Sequence, residues 1–247
     1  MSANRRLVLI HGFTERPSMW NSLTDGLNDA SLAISTPSIP GHGNHPEIPS
    51  VHTTEAYCEA IVRQIPMDNL PWIVVGHSMG GYLASSIVTM FPHRIKALGL
   101  FHSKAAADDE VKKEDRRRAI LAASQNKDIY LATMLRNTLA EENVARLGSE
   151  TNAMIEAAKQ DISVECIEAA HQVMIERPDN VEFLTKASFD IHYFLGMEDK
   201  SIPYQVAQQE LIKIPRASVV SLEKVGHMGQ LECPSEARSW LKHVCAY

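Results

Sequence analysis

One short run in this sequence can carry covalent chemistry. Trp72-Ile73-Val74-Val75 is followed by Gly76-His77-Ser78-Met79-Gly80-Gly81 and then by a helical pattern. A serine between glycines at this spacing, placed between a strand and a helix, is the arrangement that exposes a nucleophilic hydroxyl on a sharp turn, an elbow running from Gly76 to Gly80. The turn strains the serine backbone and pushes Oγ out of the sheet edge. A side chain at position 76 or 80 would collide where the strand end and the helix start come closest. The backbone N–H of Met79, at the head of the helix, can meet a developing oxyanion. The competing reading is a glycine-rich structural turn with an incidental serine, and the flanking strand and helix weigh against it. Such a nucleophile also needs a base, oriented by a third group. With eleven histidines in the chain, residue type alone does not pick that base.

The elements that must position Ser78 are legible as short apolar runs alternating with helical patterns. The runs are Leu7–Ile10, Leu32–Ser35, Trp72–Val75, Ile95–Phe101, Phe189–Leu195 and Ser218–Leu222. Between them apolar residues recur three or four apart: Trp20, Leu23 and Leu27, then Leu83 and Ile87, then Ala237, Trp240 and Val244. That alternation predicts βα units and a parallel sheet. Pro17, Pro203 and Pro234 mark helix starts, and Pro92 and Pro215 mark stops. From Lys104 to Lys186 the alternation fails, and Ala-, Glu-, Arg- and Met-rich sequence has only helical periodicity. Residues 1–103 and 187–247 therefore read as an α/β core and residues 104–186 as an inserted helical cap over one end of the sheet.

Length and composition bound the function. A chain of 247 residues, 45% hydrophobic and 22% charged, is that of an ordinary globular protein with one sizeable core. A net charge of −6 argues against a nucleic-acid surface and a polyanionic substrate. Cys58, Cys166, Cys233 and Cys245 are scattered, which fits free thiols in a reducing compartment. The apolar run before His11 is too short for a signal peptide or a membrane span. A cytoplasmic location is expected, with no metal or organic cofactor and no membrane partner.

With these motifs in place, the chain resembles the α/β-hydrolase superfamily over nearly its whole length outside the insert. The first strand ends in His11-Gly12-Phe13, similar to that family's HG-containing oxyanion loop. The resemblance makes the Phe13 N–H the second oxyanion donor and leaves the His11 side chain a structural role. Pro40-Gly41-His42-Gly43 resembles the loop after the family's next strand; His42 and His45 there are expected on a solvated loop, with no acid or thiol cluster to make a metal site. Gly196-Met197-Glu198-Asp199 matches the family's G-x-x-D after a late strand, which makes Asp199 the acid, with Glu198 its competitor. Val225-Gly226-His227-Met228-Gly229 resembles the loop before the family's last helix and makes His227 the base. The chain order Ser78, Asp199, His227 is the order of this fold.

The family usually begins with an antiparallel strand pair, and the few residues before Leu7 leave no room for it. The expected sheet has about six strands, mostly parallel. Serine at position 78 speaks against haloalkane dehalogenases and epoxide hydrolases, which use aspartate there. The expectation is a serine hydrolase of small to medium, partly apolar carboxylic esters. The alternatives are a carbon–carbon bond hydrolase or lyase of the same fold, and a small-molecule receptor on a hydrolase scaffold. In the insert, the run from Asp108 to Arg118 reads as a salt-bridged helix with Asp108 as its N-cap, and one of its arginines is a candidate for the pocket. Met134, Met154 and Met174 are candidates for its apolar lining. The strand Leu32–Ser35 becomes a sheet edge, a pairing liability that an oligomer contact or a loop should cover. Size-exclusion chromatography checks this, because a strictly monomeric profile removes the oligomer version.

Overall fold

The computed structural model describes residues 3–27, 29–43, 45 and 47–246. Its strands are β1 (Arg5–Ile10), β2 (Leu32–Ser35), β3 (Trp72–His77), β4 (Ile95–Phe101), β5 (Asp190–Gly196) and β6 (Ser218–Leu222). They form one sheet in the order β2-β1-β3-β4-β5-β6, and every neighbouring pair is parallel. The helices are α1 (Asn21–Thr24), α2 (Thr54–Val62), α3 (Met79–Met90), α4 (Glu110–Gln125), α5 (Lys127–Arg136), α6 (Gly148–Asp161), α7 (Val164–Glu176), α8 (Val181–Thr185), α9 (Tyr204–Lys213), α10 (Gly229–Glu232) and α11 (Pro234–Cys245). None is long and apolar enough to cross a membrane among the described residues.

The central strands are buried on both faces, so they read as unbroken apolar runs, and the pleat sends alternate residues to opposite sides. Val8, Ile10, Trp72 and Val74 join α2, α3 and α7 in one core. Leu7, Leu9, Ile73 and Val75 join Trp20, Leu23 and the Trp240 face of α11 in the other. Residues 104–186 contribute α4–α8 and no strand among the described residues. Ala123, Leu131, Ile155 and Ile167 give this insert a small core of its own, while Ala170, Val173 and Leu184 join the main one. The insert therefore packs as part of the molecule.

Two expectations change in this region. Asp109, not Asp108, caps α4, accepting from the Lys112 N–H at 2.8 Å. Asp108 turns inward and binds Arg116 and Arg177. His42 is fully buried, with its ring against Cys166 Sγ of α7, so its loop is covered by the insert and not solvated.

Chain order places the chemistry. The chain runs from β1 outward to β2 and returns to β3 on the other side of β1, so the strand order reverses between β1 and β3. The crevice at such a reversal, beyond the carboxyl ends of the strands, is where open α/β sheets bind ligands. Gly12-Phe13 leaves β1 there, Ser78 leaves β3, His102 leaves β4 and Asp199 follows β5.

Candidate active site

Ser78 joins β3 directly to α3 with φ 50° and ψ −118°. Its N–H donates to the Phe101 carbonyl at 3.1 Å, and its own carbonyl accepts from Ser103 Oγ at 2.7 Å. The two glycines are steric necessities. A Cβ on Gly76 would lie 2.2 Å from the Gly80 carbonyl oxygen, and one on Gly80 would lie 2.3 Å from that of His11. Among the described residues, three of the four non-glycine positions with positive φ, Thr14, Ser78 and His102, border this crevice, where strained backbone tends to gather.

Asp199 is buried after β5, whereas its competitor Glu198 is exposed. Asp199 Oδ1 accepts from the Ser201 and Ile202 N–H groups at 2.8 and 2.9 Å, which fixes the carboxylate. Its Oδ2 accepts from His227 Nδ1 at 2.7 Å, and His227 Nε2 lies 2.8 Å from Ser78 Oγ. With the proton on Nδ1, Nε2 presents its lone pair to the serine hydroxyl. Burial pushes the Asp199 carboxyl up, but His227 and His102 beside it outweigh that and hold it well below the usual range. The N–H groups of Phe13 and Met79 have no protein acceptor among the described residues. The predicted nucleophile, base and acid thus come together, with both predicted oxyanion donors unused.

Around them lies a layer of charged and polar groups that no local pattern signals. His77 Nδ1 donates to Glu15 Oε2 at 2.7 Å, and its Nε2 donates to the His227 carbonyl at 2.9 Å. Burial opposes both charges, yet each holds the other ionised: the His77 pKa is raised and that of Glu15 lowered. Glu15 also accepts from the Gly12 N–H at 2.6 Å, so one carboxylate ties the Gly12-Phe13 turn, through His77, to the His227 loop. On the far side of Asp199, His102 Nε2 accepts from the Gly229 N–H at 3.2 Å, which leaves its Nδ1–H facing Asp199 Oδ2 at 3.4 Å. Glu232 accepts from Gly226 and Met228 in the base loop and from Ala140 and Asn143 in the insert. The His227 N–H donates to the Thr138 carbonyl at 2.6 Å. The only sequence cue to this layer is position: His77 lies inside the elbow and His102 ends β4.

Ser78 opens into a cavity of about 280 Å³ shared by core and insert. Phe13, Ser78 and His227 lie on the core side and Met134 and Met174 on the insert side, while Met154 is not part of the lining. His102, Asp199 and His227 bring ligand atoms within 4.8 Å of one another; His227 Nδ1 donates there to Asp199 Oδ2, and His102 Nε2 accepts from Gly229.

The sequence pattern of the alpha/beta hydrolase family matches residues 7–238, and the chain belongs to that family. Among proteins of known activity it is 37% identical over 94 residues to a pimeloyl-[acyl-carrier protein] methyl ester esterase of Aromatoleum aromaticum, covering 38% of this chain and 35% of that one. It is 33% identical over 110 residues to the lipase LipV of Mycobacterium tuberculosis, covering 43% and 40%. The chain thus spans well under half the length of these curated relatives. Along its full length it superposes on a thermophilic esterase from Thermogutta terrifontis, with a TM-score of 0.81, 26% identity and coverage of 99% and 92%.

The buried histidines make a prediction about acid. Burial pushes His11 and His102 down to about 4 and His42 and His171 down to about 3, whereas free histidine titrates near 6.5. Between those values the unfolded chain binds more protons than the folded one, so stability is present above about 6.5 and is lost as pH falls through the window. Each such group costs about 1.4 kcal/mol per pH unit within its window. His77 has the opposite sign, its contribution being present below 6.5 and lost as pH rises through its raised folded value. His192, pushed down to about 4 by burial, adds to these four, and His77 acts only above the window. Scanning calorimetry is expected to show Tm falling steadily from about pH 6.5 to pH 4, and a flat Tm there would contradict burial of these rings as neutral groups.

Proposed function

We propose that this chain hydrolyses small to medium carboxylic esters through an acyl intermediate on Ser78. The observation that carries the reading is the hydrogen-bonded series from Ser78 Oγ to His227 at 2.8 Å and from His227 to Asp199 at 2.7 Å, opening on the cavity. The named activities of the relatives support ester cleavage.

In the first half-reaction Ser78 Oγ attacks the acyl carbon while His227 Nε2 takes the serine proton. The carbonyl oxygen becomes an oxyanion and accepts from the Phe13 and Met79 N–H groups, a contribution of about 10²–10³ in rate for each such donor. Asp199 stabilises the imidazolium and keeps its Nδ1–H directed. The bond to the leaving oxygen then breaks, and His227 returns the proton to it as the alcohol departs. Water repeats the sequence on the acyl-serine: His227 takes its proton, the acid is released and Ser78 regains its hydrogen. Residues 104–186 act as the cap that closes the cavity over the core formed by residues 1–103 and 187–247. The four cysteines are free thiols, in keeping with a cytoplasmic enzyme.

A fluorophosphonate probe followed by peptide mass spectrometry is expected to find a single adduct, on Ser78. Absence of any adduct would remove the nucleophile from the mechanism. Ser78→Ala and His227→Ala should each lower kcat on p-nitrophenyl esters by at least about 10³-fold while product binding persists. A mild Asp199→Asn variant beside a severe Glu198→Gln variant would mean that the acid is Glu198.

A further inference from the structure

Beyond ester cleavage itself, the cavity is polarised. At the end formed by α4, α5 and α7 its lining includes Lys112, Asp115, Arg116, Tyr130 and His171. Lys112 and Arg116 bring positive charge to that lining, and the carboxylates nearest Lys112 are engaged with other groups. Asp108 is shared by three cations: Arg116 through Nε, Arg177 at 2.8 Å and Lys104 at 3.5 Å. Glu210, the other buried acid nearby, is occupied by the Ala105 and Ala106 N–H groups and the Tyr193 hydroxyl. Asp115 is exposed and pairs with Arg118, and Glu15 is held by His77. Lys112, from the same helix, has no ion pair among the described residues, and burial followed by the neighbouring Arg116 lowers its ammonium pKa. An unpaired cation in a partly buried wall is costly unless an anion arrives from outside.

The spare polar atoms at this end are donors. Arg116 uses Nε on Asp108 and directs Nη1 at Met174 Sδ, a weak acceptor, which leaves N–H groups of its fork unused. His171 is only 5% exposed, and its Nδ1 has no hydrogen-bond partner. Its Nε2 lies 2.7 Å from the Tyr130 hydroxyl. The phenol has no other acceptor, so its O–H donates to Nε2 and the ring proton sits on Nδ1. A lysine ammonium beside a guanidinium edge is the complement of a carboxylate.

This donor set is close to the reacting centre. The His171 ring packs edge-on against Phe13 with centroids 5.4 Å apart. The Arg116 guanidinium lies 5.9 Å from the ring of Tyr82, which is one helical turn beyond Ser78 in α3. The span from nucleophile to donors therefore suits a short chain.

We propose that the ester this site accepts carries a carboxylate at the end remote from the scissile bond, a half-ester of a short dicarboxylic acid, held by Lys112 and Arg116. The proposal rests on the esterase reading of Ser78.

Monomethyl glutarate and dimethyl glutarate test it, since they differ only at the remote end, a carboxylate in one and a second methyl ester in the other, for whose two equivalent ends kcat/KM is corrected. The wild-type protein is expected to prefer the half-ester in kcat/KM by at least about tenfold at low salt, with the preference shrinking as ionic strength rises. Lys112→Met should cut the ratio of the two kcat/KM values by about tenfold, and Lys112→Arg should retain most of it. Lys112 is the variant of choice because it has no partner to orphan, whereas loss of Arg116 would strip a cation from the buried Asp108. Preference for the diester in the wild type, or a ratio unmoved by Lys112→Met, overturns the proposal. If neither ester is cleaved and Ser78 takes no fluorophosphonate, the esterase reading fails by itself. Calorimetric titration of Ser78→Ala with glutarate then decides the carboxylate site: binding that Lys112→Met abolishes supports it, and no binding overturns it.

Discussion

The site depends on one close approach of backbone to backbone. Ser78 sits at φ 50° because β3, α3 and the end of β1 meet more tightly than any side chain allows. Backbone strain of this kind costs on the order of 1–3 kcal/mol and persists only where its surroundings over-determine it. Here they do so from two directions. The Ser78 N–H and carbonyl are bonded to Phe101 and Ser103 at the end of β4, and α3 is buried along nearly its whole length against the sheet. The direction of the Ser78 hydroxyl is a consequence of that burial. It requires no contact from the insert, although the insert lines the space in front of it.

The proposed base is held by different means. His227 lies in a loop after an edge strand, so apolar packing alone cannot fix it to the tenths of an ångström that proton transfer requires. Its backbone is pinned at both polar atoms, the N–H by the Thr138 carbonyl and the carbonyl by His77. Glu232 gathers the N–H groups on either side of it. Buried charges are tolerable only when their hydrogen-bonding capacity is met, and a fully met network is stiff. Because Thr138 and Ala140 belong to the insert, this stiffness crosses from insert to base: displacing residues 138–143 would take acceptors and donors from the His227 loop directly.

What the sequence made legible follows from the range of each interaction. The central strands were readable because burial on both faces leaves an unbroken apolar run, the edge strands β2 and β6 are short and more exposed, and three of the six have the expected bounds. The elbow was readable because the steric demand on Gly76 and Gly80 is local. The structure adds the Glu15–His77 pair and the His77–His227 contact, whose partners stand 62 and 150 residues apart and leave no periodic trace. Adjacent residues of one type gave no basis for choice: Asp108 and Asp109 both suit a helix start, and only the fold shows that Asp109 reaches the Lys112 N–H while Asp108 faces inward. His42 read as solvated because its loop is glycine-rich, and nothing local reveals that α7 lies across it.

The insert was the least readable segment, and the reason is energetic. Its helices carry a small core and many exposed ion pairs, which contribute little individually and are interchangeable in sequence. The pairs that matter are the few that leave solvent. Arg116 and Arg177 both lie over the Tyr82 ring and both bind Asp108, so the insert is joined to α3 by stacked, desolvated cations sharing one carboxylate. A guanidinium suits this role because it is weakly hydrated and can stack and donate at once. The same arrangement leaves Arg116 on the cavity wall beside Lys112, which has no ion pair among the described residues. The joint between insert and core and the polarity of the space above Ser78 are therefore one electrostatic arrangement, and a change to either alters the other.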